Sequence, residues 1–254
     1  MATYKKTGSK VKKGKNKIEE KSTTAEVFNT LDETASKSEQ WVIKNQKAIF
    51  ILLATVVAVI LGYLAYQKYV EAPIEKEAAD ELAFPKTYFE NALNGTVAVD
   101  SLLTLGLNGA DGKYGFIDIS TEYSGTDAGN LANYYAGISY LKLKKYKEAI
   151  EYLEKYSSND ELLGPTAKGA IGDAFADINQ PEDALNYYLK AANLKDNNFS
   201  TPLFLFKAGN TAMELEKYSK ALEIFSRIKK EYPNSQEAKN IDIYINKATY
   251  ASTK

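Results

Sequence analysis

An uncharged, apolar stretch of 19 residues, numbers 48–66, constrains this chain more than any other feature. As an α-helix rising about 1.5 Å per residue it would be about 28 Å long, close to the hydrocarbon thickness of a bilayer. Lys47 and Lys68 flank the stretch, and tyrosines gather at its C-terminal end as in an aromatic belt. Because it lacks the polar stripe of a core helix, it predicts a transmembrane helix over residues 47–69.

Charge on the two sides of this helix predicts its orientation. Residues 1–47 hold eleven lysines against six acidic residues, whereas residues 70–254 hold 20 basic against 27 acidic residues. The stretch lies too far from the N-terminus for a cleaved signal peptide, and no A-x-A site follows it. By the positive-inside rule we expect a signal-anchor protein of the bacterial inner membrane, with a cytoplasmic N-terminus and a periplasmic domain at 70–254.

The cytoplasmic part divides into two segments. Residues 1–21 are rich in lysine and glycine and cannot build a core, so we expect a disordered tail. That tail either fixes the topology alone or contacts ribosome, nucleic acid or anionic lipid, without specific nucleic-acid recognition. Residues 22–46 predict a juxtamembrane helix, which is either an interfacial or partner-docking helix or a solvated extension of the membrane helix.

Composition removes most catalytic chemistry. The chain has no cysteine and no histidine, which excludes disulfides, thiolate chemistry and the commonest general base. A Ser-x-x-Lys motif begins at Ser139, but the Lys-Thr-Gly motif at 6–8 falls on the other side of the predicted membrane. We therefore expect no enzyme, no catalytic residue, no metal site and no cofactor.

A repeat of 35 and then 37 residues organises the exported part, with units at about 130–161, 165–196 and 202–234. Each unit has a small residue and, twelve positions later, an alanine, followed after four residues by a large apolar side chain. This spacing predicts two antiparallel helices that approach closely at the small residues. The predicted packing residues are Gly137, Ala149, Gly172, Ala184, Gly209 and Ala221, with Leu153, Tyr188 and Phe225 as the large side chains.

These three units resemble the tetratricopeptide repeat, although the early tryptophan is missing from all of them. The resemblance implies an all-α solenoid that binds proteins along the inner surface formed by the first helix of each repeat. The corresponding residues are Leu131, Tyr134, Ile138, Leu141 and Lys142 in the first repeat, Thr166, Gly169, Asp173, Ala176 and Asp177 in the second, and Leu203, Phe206, Asn210, Met213 and Glu214 in the third. Such a groove suits an apolar or basic extended segment, unless flanking helices cover part of it.

The segments around the repeats fit a solenoid as well. Residues 74–94 predict a helix interrupted near Pro85, and two shorter helices follow before residue 130. We expect these to form an irregular first repeat and the last helix, about 235–250, to cap the stack.

The order of tail, signal-anchor helix and repeat domain resembles the YfgM-like family of ancillary subunits of the bacterial Sec translocon, in its Bacteroidota form. The stretch EYSGTDAGNLANYYAGISYLKLKKYKEAIEYLEKY carries the resemblance most clearly. It implies association with the SecYEG channel beside a membrane-anchored prolyl isomerase-like chaperone, and contact with nascent exported chains. The alternatives are a cell-envelope assembly or division scaffold with one fixed partner, and a role centred on the lysine-rich tail.

Overall fold

A computed structural model describes residues 23–95 and 97–253, so the predicted disordered tail at 1–21 lies outside the described residues. The described residues divide into two compact units, with the division between Gln67 and Lys68. The described elements are α1 (Thr23–Tyr66), a π-helical turn (Gln67–Glu71), α2 (Ala72–Asn94), α3 (Val99–Asn108), α4 (Phe116–Glu122), α5 (Asp127–Lys142), α6 (Tyr146–Lys155), α7 (Leu163–Asp177), α8 (Pro181–Leu194), α9 (Ser200–Glu214), α10 (Tyr218–Glu231), a 3₁₀ turn (Glu237–Asn240) and α11 (Ile241–Ser252).

Helix α1 holds the apolar stretch of the sequence. The helical region Ser38–Asn94 contains an 18-residue window with a mean hydropathy of 2.7, and none of that window is buried. A soluble core helix would bury such a window, because exposing large aliphatic side chains to water costs free energy. By length and composition this helix can cross a membrane.

The second unit is built from helical pairs in chain order. Helix α5 packs on α6, α7 on α8, and α9 on α10, and each pair packs on the next. Three residues join the helices of each pair, and the middle one has a left-handed backbone: Lys144, Asn179 and Glu216, with φ of 59°, 59° and 57°. The first helix of each pair ends with the same type of hydrogen bond. The backbone amide of the residue that follows the left-handed one donates to the carbonyl oxygen five positions earlier in the chain. The reversal is therefore built without glycine.

Small residues set the spacing within every pair. A Cβ added to Gly137 would lie 2.5 Å from Leu153 Cγ, and one added to Gly209 would lie 2.4 Å from Phe225 Cε1. Gly172 faces the ring of Tyr188 in the same way, with Cδ1 at 2.7 Å. The three alanines twelve residues downstream, Ala149, Ala184 and Ala221, are completely buried. Large side chains of the second helix thus fill the space that the glycines leave open.

Helices α2, α3 and α4 pack with α5 around a core that includes Phe89, Leu103, Phe116 and Ile119. Contrary to the sequence expectation, Pro85 does not interrupt α2, which runs unbroken from Ala72 to Asn94. Pro85 is buried, and a Cβ on Gly106 of α3 would lie 3.3 Å from its carbonyl oxygen. Pro85 thus lies inside a helix, where it cannot donate the usual backbone hydrogen bond, at the point where α3 packs closely on α2.

A carboxylate of α2 forms hydrogen bonds with the start of α5. Glu75 accepts hydrogen bonds from the backbone amides of Asp127 (2.9 Å) and Ala128 (3.1 Å). Because a helix N-terminus has amides without partners and a partial positive charge, this carboxylate serves as a long-range cap. A second bond joins the same two segments, because the hydroxyl of Tyr123, just before α5, donates to Glu77 of α2 at 3.0 Å.

The last turn and α11 close the stack on α9 and α10, with Ile241 and Ala248 buried in the shared core. Among the described residues the elements are helices and turns, with an isolated β-bridge between Ala110 and Lys113. The expected fold class is confirmed: an all-α, tetratricopeptide-like array with an irregular first part and a terminal helix, preceded by a helix apolar enough to span a membrane.

Candidate protein-binding surface

The apolar groove candidates of the first repeat take part in packing. Leu131 and Ile138 of α5 are half-buried between two core clusters, and Tyr134 and Leu141 pack against the second of these. The Tyr134 ring lies 5.2 Å from that of Tyr156, and burial raises the pKa of Tyr134 to about 12. This part of the predicted groove is therefore a semi-exposed edge of the core.

Asp173 of α7 is the centre of a polar cluster. It accepts hydrogen bonds from the Tyr188 hydroxyl (2.7 Å) and from Lys207 Nζ (2.7 and 2.8 Å). Burial and then the bond to Asp173 raise the pKa of Tyr188 well above its usual range, with further contributions from Asp177 and Glu214. One carboxylate therefore bonds this buried phenol, and two others on α7 and α9 act on it electrostatically.

The remaining candidates of the second repeat differ in exposure. Asp177 is exposed and accepts a hydrogen bond from Tyr146, whose pKa is raised first by desolvation and then by this bond. Gly169 is buried, and a Cβ there would lie 1.9 Å from Phe204 Cε1. Gly169 thus lets the first helices of two successive repeats approach, and contributes no surface for a ligand.

In the third repeat, Leu203, Phe206 and Met213 pack against the core and are half-buried, whereas Asn210 is exposed. The ring of Phe206 meets that of Tyr244 edge to face, at a centroid distance of 4.8 Å. Helix α11 therefore covers part of the inner surface of this repeat.

A cavity of about 480 Å³, open to solvent, lies between α9 and α11, and Tyr218 at the start of α10 also lines it. It brings together three predicted groove residues with five residues that the sequence analysis did not select. Its wall includes Met213, Glu214, Tyr218, Tyr244, Lys247 and Tyr250. The i, i+3, i+6 spacing of Tyr244, Lys247 and Tyr250 is a helical-face signal that could have identified α11 as a fourth inner helix.

A second cavity, of about 730 Å³, lies where α5 begins and α6 ends. Its walls are polar, and Asn130 fixes one of them by exchanging hydrogen bonds with the backbone of Ser157 (2.7 and 3.0 Å). Asn133 lies beside it, with Nδ2 donating to the Gly129 carbonyl and Oδ1 buried without a partner. Its polar walls are typical of a junction between helical segments and differ from the mostly apolar walls of a ligand pocket.

Within the described part of the chain, no group of three or more acidic, histidine or cysteine residues could hold a metal ion. On the inner surface, Asp173 instead bonds a hydroxyl and an ammonium group. The arrangement favours recognition of another molecule's surface.

A tetratricopeptide repeat family model matches residues 131–160 and 204–235, which are α5 with α6 and α9 with α10. No curated protein matches the chain. The repeat between the two matched segments has the same helical pair and the same small-to-large packing. The match supports a tetratricopeptide-repeat protein, and repeats of this family generally serve as scaffolds for interaction between proteins.

Proposed function

We propose that the chain is a membrane-anchored adaptor that binds proteins through its repeat unit and is associated with the Sec protein-export channel. The observation that carries the proposal is the inner surface of α9 and α11, where exposed Asn210 and Glu214 border half-buried Met213 and Tyr244. Apolar side chains beside polar ones are the usual composition of a surface that holds an extended segment.

The groove can be tested by placing a long, charged side chain in it. Asn210→Arg places a long side chain in the α9–α11 cavity and should weaken binding of unfolded exported proteins about tenfold or more. Asn246→Arg is the matched control, because Asn246 is exposed on α11 and does not line that cavity. Equal binding by both variants would contradict the groove assignment.

Membrane anchoring is supported by the exposed apolar window of α1 and by the charge difference across it. In cells with a permeabilised outer membrane, Ser252→Cys should react with a membrane-impermeant thiol reagent, whereas Ser9→Cys should not. The natural chain lacks cysteine, so every label reports the introduced residue. The reverse labelling pattern would overturn the orientation and the periplasmic location of the repeats.

The Sec channel is the partner that the resemblance to the YfgM-like family implies, together with a membrane-anchored prolyl isomerase-like chaperone. Affinity purification from native membranes in mild detergent, followed by mass spectrometry, tests this directly. Stoichiometric recovery of channel subunits is expected. Recovery of a different envelope complex, under conditions that keep the channel intact, would replace this partner.

The alternative function is a cell-envelope assembly or division scaffold that binds one fixed protein. Aggregation assays separate the two functions. An adaptor for exported chains should slow the aggregation of several unrelated unfolded proteins, whereas a scaffold should slow none of them and retain its single partner.

A further inference from the structure

The turn between α5 and α6, residues 142–147, has a surplus of positive charge. Its exposed cations are Lys142, Lys144, Lys145 and Lys147. Within the part of the chain that the structure describes, none of these four lysines forms an ion pair. Two carboxylates lie beside them, because Glu148 is the next residue of α6 and Asp177 accepts a hydrogen bond from Tyr146. Four ammonium groups therefore stand against two carboxylates.

The backbone of this α5–α6 turn does not require lysine. The turns between α7 and α8 and between α9 and α10 have the same left-handed middle residue and the same closing hydrogen bond. In the second repeat, Asn179 and Glu182 occupy the positions of Lys144 and Lys147, and the third repeat has no lysine at either position. The same turn geometry is thus built with neutral or acidic side chains.

Helix electrostatics disfavour two of these lysines. Lys145 is the N-cap residue of α6 and makes no side-chain cap, and Lys147 lies in the first turn of that helix. Because the N-terminus of a helix carries a partial positive charge, it favours acidic residues and disfavours cations. Helix α8 has the favoured arrangement, with Glu182 and Asp183 in its first turn. The fold of the first repeat therefore gives no reason for lysine at positions 145 and 147.

The sign of the α5–α6 turn is opposite to that of its surroundings. Residues 70–254 hold 20 basic against 27 acidic residues, so an acidic molecule is attracted at this turn and repelled by most of the unit. The turn lies about 24 Å along α5 from the cap by Glu75, which is close in sequence to the start of the unit. Since the predicted membrane helix precedes that start, this distance favours a protein segment over a lipid headgroup.

We propose that the α5–α6 turn binds an acidic segment of a partner protein, whose carboxylates pair with Lys144, Lys145 and Lys147. This inference rests on the proposed adaptor function for the class of partner and adds a second surface to it. Lys145 is already oriented, because its Nζ lies 5.8 Å from the centre of the Tyr140 ring. Binding therefore orders this side chain at a smaller entropic cost. Lys142, at the end of α5, supplies additional attraction.

The second repeat supplies a test variant that keeps the fold. The double variant Lys144→Asn, Lys147→Glu, called the turn variant, gives the first repeat the residues found at the equivalent positions of the second. Asparagine tolerates a left-handed backbone better than lysine, and glutamate suits a helix start. The turn variant should therefore unfold at a higher urea concentration than the natural chain.

A control variant makes the same change in net charge elsewhere. Lys230→Gln with Lys239→Glu alters two exposed lysines of α10 and the 3₁₀ turn. Like the lysines of the α5–α6 turn, neither forms an ion pair with any described residue. Diffuse attraction by the whole unit should change equally in both variants.

The experiment measures fluorescence anisotropy with the full chain in nanodiscs of a zwitterionic lipid. The probe is a labelled peptide of alternating leucine and glutamate residues, compared with a peptide in which glutamine replaces every glutamate. The turn variant should bind the acidic peptide about tenfold more weakly and the glutamine peptide unchanged, whereas the control should stay within about twofold of the natural chain. The lysine-rich residues 1–21 are common to all three proteins, so differences between them report the turn.

A turn variant that is more stable but binds the acidic peptide more weakly would support the site, since misfolding cannot produce that combination. Equal weakening in the turn variant and the control would show diffuse charge attraction and overturn it. Unchanged affinity in the turn variant, or failure of the acidic peptide to bind, would also overturn it. Either result leaves the α9–α11 groove standing, because the Asn210→Arg variant tests that surface separately.

Two further results would overturn the site. A turn variant that unfolds at a lower urea concentration would contradict the argument that the fold gives no reason for these lysines. Binding to phosphatidylglycerol vesicles that the turn variant loses, with its affinity for the acidic peptide unchanged, would assign the turn to lipid headgroups.

Discussion

Leu153 packs directly over Gly137, so that a Cβ at position 137 would lie 2.5 Å from its Cγ. Replacing Gly137 by alanine should therefore lower the free energy of unfolding by about 1–3 kcal/mol, although alanine is the better helix former. Urea unfolding followed by circular dichroism measures the change. In a Leu153→Ala background the same substitution should cost clearly less, and additive costs would contradict this contact.

Removing the carboxylate of Glu75 should loosen the start of α5. Glu75→Gln leaves an amide in place of the anion that accepts both the Asp127 and Ala128 amides, and should cost about 1 kcal/mol. Hydrogen exchange at those two amides should accelerate. Glu90→Gln on the same helix is the control, because Glu90 makes only an exposed pair with Lys86 at 3.6 Å, and unchanged exchange in Glu75→Gln would refute the cap.

Asp173→Asn should destabilise the second unit more than Glu182→Gln. Asp173 serves both Lys207 and the buried Tyr188 hydroxyl, whereas Glu182 makes an exposed ion pair with Lys217. Because Asp173 and Lys207 are about one third exposed, solvent screening limits the loss to about 1–2 kcal/mol, against less than about 1 kcal/mol for Glu182. Chemical denaturation of both variants at low ionic strength decides the ranking.

Tyr188→Phe should reveal a pH dependence at the alkaline end. The folded state raises the pKa of Tyr188 above its unfolded value of about 10, so the protonated phenol stabilises the fold at every lower pH. That contribution, about 1 kcal/mol from the bond to Asp173, should be constant to about pH 9 and decline as the pH rises further. The measurement is the difference in unfolding free energy between natural chain and variant at about pH 8 and pH 11.

A control separates this effect from general alkaline unfolding. Tyr114→Phe changes an exposed ring, and its difference from the natural chain should not depend on pH in the same way. A Tyr188→Phe difference that grows with pH would contradict the assigned sign.

The sequence alone determined the elements that repeat. Gly137 and Ala149 are twelve residues apart, and the same spacing recurs in the other two repeats. Together with the apolar periodicity, it predicts pairs of antiparallel helices, because only in such pairs do small residues at these positions permit close approach. The uncharged stretch at 48–66 likewise predicts its own helix, since length and composition are local properties.

Only the tertiary structure decided which inner residues are exposed and which are packed. Gly169, selected as a groove residue by its position, is covered by Phe204, and Phe206 meets a ring of α11 that belongs to no recognised repeat. The cap on α5 from Glu75 joins residues more than 50 positions apart, and Pro85 lies inside a helix at the point where α3 packs on it. Such contacts depend on the arrangement of distant helices, and no local pattern of side chains encodes that arrangement.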